Sequence, residues 1–131
     1  MIFSKDKSFL RLAIEKSQDH EQELKTDYRL CAILNVGKNT YVGYNQKKTH
    51  PLQKQYGTNE YSIHLHAEID CIRQAYRVEG YLGDATLYVA RTRLDNSIAT
   101  ACPCKGCQKA ITNFQIDSVY FTTDEGYGKL K

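Results

Sequence analysis

The stretch His66-Ala67-Glu68-Ile69-Asp70-Cys71-Ile72-Arg73-Gln74-Ala75-Tyr76-Arg77-Val78-Glu79-Gly80 is followed, after a short connection, by Ala85-Thr86-Leu87-Tyr88-Val89-Ala90. The first part has helical periodicity, with Ala67, Cys71, Ile72, Ala75 and Tyr76 predicted inward and Asp70, Arg73, Gln74 and Arg77 outward, and Gly80 can close it. The second is an apolar, β-rich run and reads as a buried strand. Downstream, Cys104 to Phe114 continues as a helix and Ser118 to Thr122 as a strand. Upstream, Asp6 to Ser17 carries an apolar stripe of Phe9, Leu10, Ala13 and Ile14, and Tyr28 to Leu34 and Thr40 to Tyr44 are strands. Asn35-Val36-Gly37-Lys38-Asn39 between those strands has the Gly and Asn content of a hairpin turn. The order α-β-β-α-β-α-β predicts one α/β domain over residues 1–131. Its mixed sheet has helices on both faces, the first two strands form an antiparallel hairpin, and crossovers make the later strands parallel.

Two short segments carry the chemistry. His66-Ala67-Glu68 and Pro103-Cys104-Lys105-Gly106-Cys107 supply one imidazole, two thiols and a carboxylate. One imidazole and two thiolates suit a tetrahedral zinc whose fourth position is open, whereas structural zinc sites fill all four positions with protein. Zinc lowers the pKa of a bound water toward neutrality, and Glu68, two residues past His66 in the first turn of a helix, can take that proton without being a ligand. Cys104 and Cys107 fall at the start of a second helix, where free N–H groups favour thiolate over thiol. Either half alone is weak. A His and a Glu at a helix start commonly only cap it, and C-x-x-C also serves redox pairs and four-cysteine knuckles. Together they favour a catalytic zinc, with a structural zinc as the alternative.

At 131 residues the chain has the size of one domain. It has no apolar run long enough to span a bilayer and no apolar leader after Met1, so a cytoplasmic location is expected. With five cysteines, two of them assigned to metal, a disulfide framework is not expected; Cys31 and Cys71 read as small core residues. The net charge of +3 comes from 18 basic and 15 acidic side chains, without the basic block of a nucleic-acid tail. Lys47-Lys48 and Arg91/Arg93 fall in predicted loops, where they are solvated charge or phosphate contacts.

His66-x-Glu68, the following helix, the strand Ala85 to Val89, and Pro103-Cys104 through Cys107 with Ala110-Ile111 together resemble the zinc-dependent cytidine/deoxycytidylate deaminase superfamily. Gly43-Tyr44-Asn45 is similar to the Gly-aromatic-Asn of deoxycytidylate and tRNA adenosine deaminases. The resemblance implies the cytidine-deaminase-like three-layer α/β/α fold and one catalytic zinc per chain on His66, Cys104 and Cys107. It also implies Glu68 as proton shuttle, the Ala67 backbone N–H on the base and Asn45 on the sugar; an Asn after a strand is equally a turn-former. The implied reaction is hydrolytic: water activated at zinc attacks C4 of cytosine and ammonia leaves. The implied substrate is a small nucleotide, most simply dCMP, and the chain is expected to form a homo-oligomer. The alternative substrate is a base within RNA or single-stranded DNA, which needs a positive groove; a non-catalytic zinc-stabilised module is a third reading.

Four regions depart from, or extend, that pattern. The 38 residues from His66 to Cys104 exceed the family's usual separation, and the excess falls in Arg91 to Cys102, read as a loop beside the metal: a substrate lid or a surface insertion. Cys102 precedes the motif proline and reads as a spare ligand or an oxidisable thiol. The segment Asp124 to Lys131 reads as a tail over the site or a piece that packs on a neighbour. Gln46 to Ile63 is a long irregular stretch where Lys48 or His50 would meet a 5′-phosphate and Tyr56 or Tyr61 would stack on a base; in the other reading His50-Pro51 is a turn and the tyrosines pack the loop.

Overall fold

The computed structural model describes residues 4–19, 28–46, 50–56 and 64–130. Helix α1 (Ser4–Asp19) buries Leu10, Ala13 and Ser17, three positions on one helical face. Strands β1 (Tyr28–Val36) and β2 (Asn39–Tyr44) pair antiparallel from Val36↔Asn39 outward. Their turn is the two residues Gly37-Lys38, and Gly37 takes φ 60°, a conformation glycine adopts without steric cost. Helix α2 (Pro51–Tyr56) starts with proline, whose missing N–H costs nothing at a first helical position. Helix α3 (Ala67–Glu79) ends at Gly80, which is left-handed at φ 71° and donates its N–H to the Tyr76 carbonyl. Then follow β3 (Thr86–Arg93), β4 (Ile98–Ala99), α4 (Lys105–Asn113), β5 (Ser118–Thr123) and β6 (Gly126–Leu130).

The strands form one sheet in the order β2-β1-β3-β5-β6, with β4 on β3. Among the described residues only β3 and β5 run parallel; the remaining pairs are antiparallel. Alternation along β3 divides the core in two. Leu87 and Val89 pack with Ile69, Ile72 and Ala110 on the face covered by α3 and α4, while Tyr88 and Ala90 pack with Leu10 and Ala13 of α1. On the α1 side, Phe9, Tyr88 and Tyr120 stack in succession at centroid separations of 5.1 and 5.8 Å. The three-layer α/β/α arrangement with a mixed sheet is therefore the fold.

Several expectations are corrected. Arg91 to Cys102 is not one loop: β3 runs on through Arg93, and β4 folds back on it with Arg91↔Ala99 and Thr92↔Ile98 in register. Thr92 is fully buried, and its hydroxyl meets that of Ser17 at 3.1 Å. The segment after Asp124 is not a tail over the site, because β6 closes a hairpin on β5 with Val119↔Leu130 and Thr123↔Gly126 at its limits. Part of the stretch 46–63 is helical as α2, and Tyr56 is buried there with its hydroxyl accepting from Asn113 Nδ2 at 3.1 Å. Tyr61 lies outside the described residues. On α3, Asp70 is buried and Tyr76 is 49% exposed, the reverse of the prediction. The first turns of α3 are enclosed on all sides, as Ala67 through Ile72 are all buried, so polarity did not decide which way Asp70 faces.

Candidate active site

Helices α3 and α4 both run back along the sheet from the carboxyl end of β3, which brings their N-termini together. His66 is the N-cap residue of α3 and Cys104 that of α4. The Cys104 sulfur accepts the backbone N–H of Cys107 at 3.5 Å, which favours its thiolate. His66 Nδ1 lies 3.7 Å from Cys104 Sγ and 3.4 Å from Cys107 Sγ, and the three ligand atoms all fall within 4.8 Å of one another. Zinc–sulfur bonds of about 2.3 Å and a zinc–nitrogen bond of about 2.0 Å, at tetrahedral angles, put nitrogen and sulfur about 3.5 Å apart. The donor set therefore fits zinc in both chemistry and spacing. Cys104 is held down to about 3 by the hydrogen bond from the Cys107 thiol and by the His66 ring, while that same bond and burial push Cys107 up. Cys102 is exposed and stands outside this cluster.

Glu68 is 5% exposed, one residue into the helix from Ala67, and its carboxyl faces the Cys107 sulfur. Burial pushes its pKa up from the ordinary carboxylate range. Ala67 opens α3, so its N–H is among the first-turn donors that lack an intrahelical acceptor.

Around these groups runs a scaffold that polarity in the sequence did not signal. The buried Gln53 of α2 accepts the His66 backbone N–H on Oε1 at 2.9 Å, fixing the chain just before α3. Asp70 Oδ2 accepts from the Tyr44 N–H at 3.0 Å and Gln46 Nε2 at 2.8 Å, while its Oδ1 pairs with Arg73 at 2.5 Å. Gln46 in turn donates its N–H to the Leu65 carbonyl at 2.9 Å, so one carboxylate links α3 to β2 and to the residue before His66. Gly43 permits this closeness: a Cβ there would lie 2.5 Å from the Ala67 carbonyl oxygen and 2.6 Å from the Cys71 nitrogen.

The remaining sequence candidates are dispersed. Asn45 is buried beside this scaffold, its Oδ1 accepting the Leu30 N–H at 2.9 Å. His50 caps α2, its Nδ1 accepting the Leu52 N–H at 3.1 Å, and it lines a cleft with Arg73, Tyr76, Arg77 and Phe114. At a rise of about 1.5 Å per residue, Arg73 already lies about 10 Å along α3 from His66. Lys48 lies outside the described residues. Spacing held the signal that Asp70 faces inward, since positions 67, 70, 71, 74 and 75 form one i, i+3, i+4 stripe; Gln53 carried no comparable signal.

The family model for the cytidine and deoxycytidylate deaminase zinc-binding region matches residues 3–123. No curated protein matches the chain. Among solved structures, the dCMP deaminase of cyanophage S-TIM5 in apo form is similar at 19% identity and a TM-score of 0.63, over 94% of this chain and 86% of that one. The cytidine deaminase of Burkholderia pseudomallei gives 13% identity and a TM-score of 0.68, over 95% and 91% of the two chains. That of Mycobacterium leprae gives 14% and 0.61, over 98% and 94%. Identities this low speak for the fold, while the family model spans the site itself: the chain belongs to the cytidine and deoxycytidylate deaminase family, whose zinc-binding region it carries.

Proposed function

We propose that the protein is a zinc-dependent hydrolytic deaminase of a cytosine nucleotide, converting dCMP and water to dUMP and ammonia. The observation that carries this reading is the meeting of His66, Cys104 and Cys107 at tetrahedral spacing with the buried Glu68 carboxyl against Cys107. His66 Nδ1 and the two sulfurs would hold the metal. Zinc, when bound, supplies Lewis-acid activation of the attacking water. Glu68 accepts a proton from the water as the water oxygen bonds to C4, and delivers it to the ring nitrogen next to C4. It then takes the remaining proton from the C4 hydroxyl and passes it to the exocyclic amine, so that the C4–N bond breaks and ammonia leaves as the C4 carbonyl forms. In this reading the Ala67 N–H, a first-turn donor of α3, holds the base. Burial raises Glu68 above the ordinary carboxylate range, and the enclosed first turns of α3 limit its wandering.

A nucleotide substrate is supported by the modest charge of the chain and by the fold it shares with the cyanophage dCMP deaminase. That enzyme, in its complex with dCMP and dUMP, is similar at a TM-score of 0.59 and 19% identity. The test is ammonia release from zinc-verified protein given dCMP, CMP, deoxycytidine and a short cytosine-containing single strand in parallel. Release from dCMP is expected; deamination of the strand alone would replace the substrate assignment, and silence on all four would overturn the enzymatic reading.

A further inference from the structure

The two helices that carry the metal-ligating residues start in different ways. Helix α4 caps itself, because the Cys104 sulfur accepts the Cys107 N–H. Helix α3 does not. His66 stands at its N-cap with extended backbone, φ −78° and ψ 152°, but its side chain makes no cap hydrogen bond. The ring is turned instead to the two sulfurs, with Nδ1 at 3.7 and 3.4 Å from them. A capping box would also tie the N-cap N–H to a Glu or Gln at the third helical position, and here that position is the buried, apolar Ile69. Neither half of the usual cap is therefore supplied by α3 itself.

Helix α2 supplies one missing half from outside. Gln53 is 2% exposed, and its Oε1 accepts the His66 N–H at 2.9 Å, the bond that a third-position Gln makes in a capping box. With that N–H taken, Glu68 is left out of the capping role, and its carboxyl faces Cys107. Tyr56, three residues on and so on the same face of α2, accepts from Asn113 Nδ2 at 3.1 Å at the end of α4. At a rise of 1.5 Å per residue, that second tie lies about 14 Å along α4 from Cys104. The two ties of α2 thus differ: one holds the backbone of a ligand residue, the other is remote from the ligands. A side chain that fixes a metal ligand from behind sets where the ligand atom stands, and its loss weakens metal binding with every ligand still present.

We propose that Gln53 is the positioning residue of the metal site: it caps α3 in place of His66, which leaves the imidazole free to face the two thiols and fixes where Nδ1 stands. The proposal rests on the zinc reading above and not on the choice of substrate. The test measures zinc affinity by competition with a chelator, and the visible spectrum of the cobalt-substituted protein, in wild type, Gln53→Met, Gln53→Glu and Tyr56→Phe. Gln53→Met keeps the bulk of the side chain and removes the acceptor. It should bind zinc about 10- to 100-fold more weakly and shift the cobalt bands, which report ligand geometry. Gln53→Glu, whose carboxyl oxygen still accepts the His66 N–H, should recover most of the affinity. Tyr56→Phe cuts the other tie of the same helix; it should melt lower and yet hold zinc within about twofold of wild type. Wild-type affinity in Gln53→Met would overturn the proposal, and so would an equal loss in Tyr56→Phe, which would make α2 a general prop. If Gln53→Met fails to fold, Gln53→Asn, one methylene too short for the His66 N–H, should show the same weakening, and wild-type affinity there would overturn the proposal equally. A wild type that binds no zinc would defeat the metal reading itself, and the proposal with it.

Discussion

Gly43→Ala is a one-methyl perturbation outside the reacting groups whose effect can be worked from the packing of β2 on α3. The added Cβ would sit 2.5 Å from the Ala67 oxygen and 2.6 Å from the Cys71 nitrogen, against about 3.4 Å for ordinary contact, so the strand and helix must separate by roughly 0.8–0.9 Å. Both obstructing atoms are backbone, and no rotamer change relieves them. Overpacking of this kind costs about 1–3 kcal/mol, which lowers the melting temperature of a chain this size by about 4 °C per kcal/mol. The displaced helix carries His66 at its cap and Glu68 in its first turn, and a misplacement of about 1 Å at reacting groups costs on the order of 100-fold in rate. Thermal melts, zinc content and kcat on dCMP together read the effect. Gly37→Ala is the control, since nothing lies within 4 Å of its Cβ and only the left-handed backbone is penalised; it should lose about 1 kcal/mol and keep its kcat. A Gly43→Ala protein with wild-type kcat and an unshifted melt would refute the argument that β2 sets the position of α3.

Asp70→Asn should destabilise the fold by about 3 kcal/mol in denaturant titration, because it breaks a largely buried ion pair with Arg73 and sets an amide against the Tyr44 and Gln46 donors; an unchanged midpoint would remove it from the scaffold. Cys107→Ser should lose zinc and stability together, and a chelator should lower the wild-type melt in the same way. Stoichiometric zinc in that variant would point to Cys102 as a replacement ligand. Removing residues 124–131 deletes β6 and uncovers β5 along the pairs Val119↔Leu130 to Thr123↔Gly126; the truncated protein should melt lower and aggregate more readily, and an unchanged melt would show that β5 tolerates a free edge.

The long, periodic elements were legible in the sequence because one pattern, helical or alternating, ran through each of them. The clustering of His66, Cys104 and Cys107 was legible because their spacing is fixed by chemistry: a cap and an i, i+3 thiol pair. What escaped was decided by tertiary surroundings. Asp70 looked outward by polarity, but β2 approaches α3 so closely at Gly43 that the carboxylate is enclosed and answered by the Tyr44 N–H and the Gln46 side-chain amide. Tyr76 looked inward by hydrophobicity, yet it stands at the margin of the helix layer, edge-on to Phe114 at 5.0 Å and 71°. The β3–β4 hairpin looked like a loop because Arg91 and Arg93 mask the alternation, and only Thr92 between them packs inward against α1. Gln53, which holds the His66 N–H, belongs to a helix of only six residues, too short for any periodic signal.

The central claim is that zinc held by His66, Cys104 and Cys107 works with Glu68 as the proton carrier. Glu68→Gln tests it most directly, because the amide keeps the size of the side chain and cannot shuttle a proton. Ammonia release from dCMP should be measured on wild type and variant at equal, verified zinc content. The account predicts one zinc per chain in both, superimposable melts, and turnover lower by at least about 100-fold in the variant. Near-wild-type turnover in zinc-loaded Glu68→Gln would contradict it.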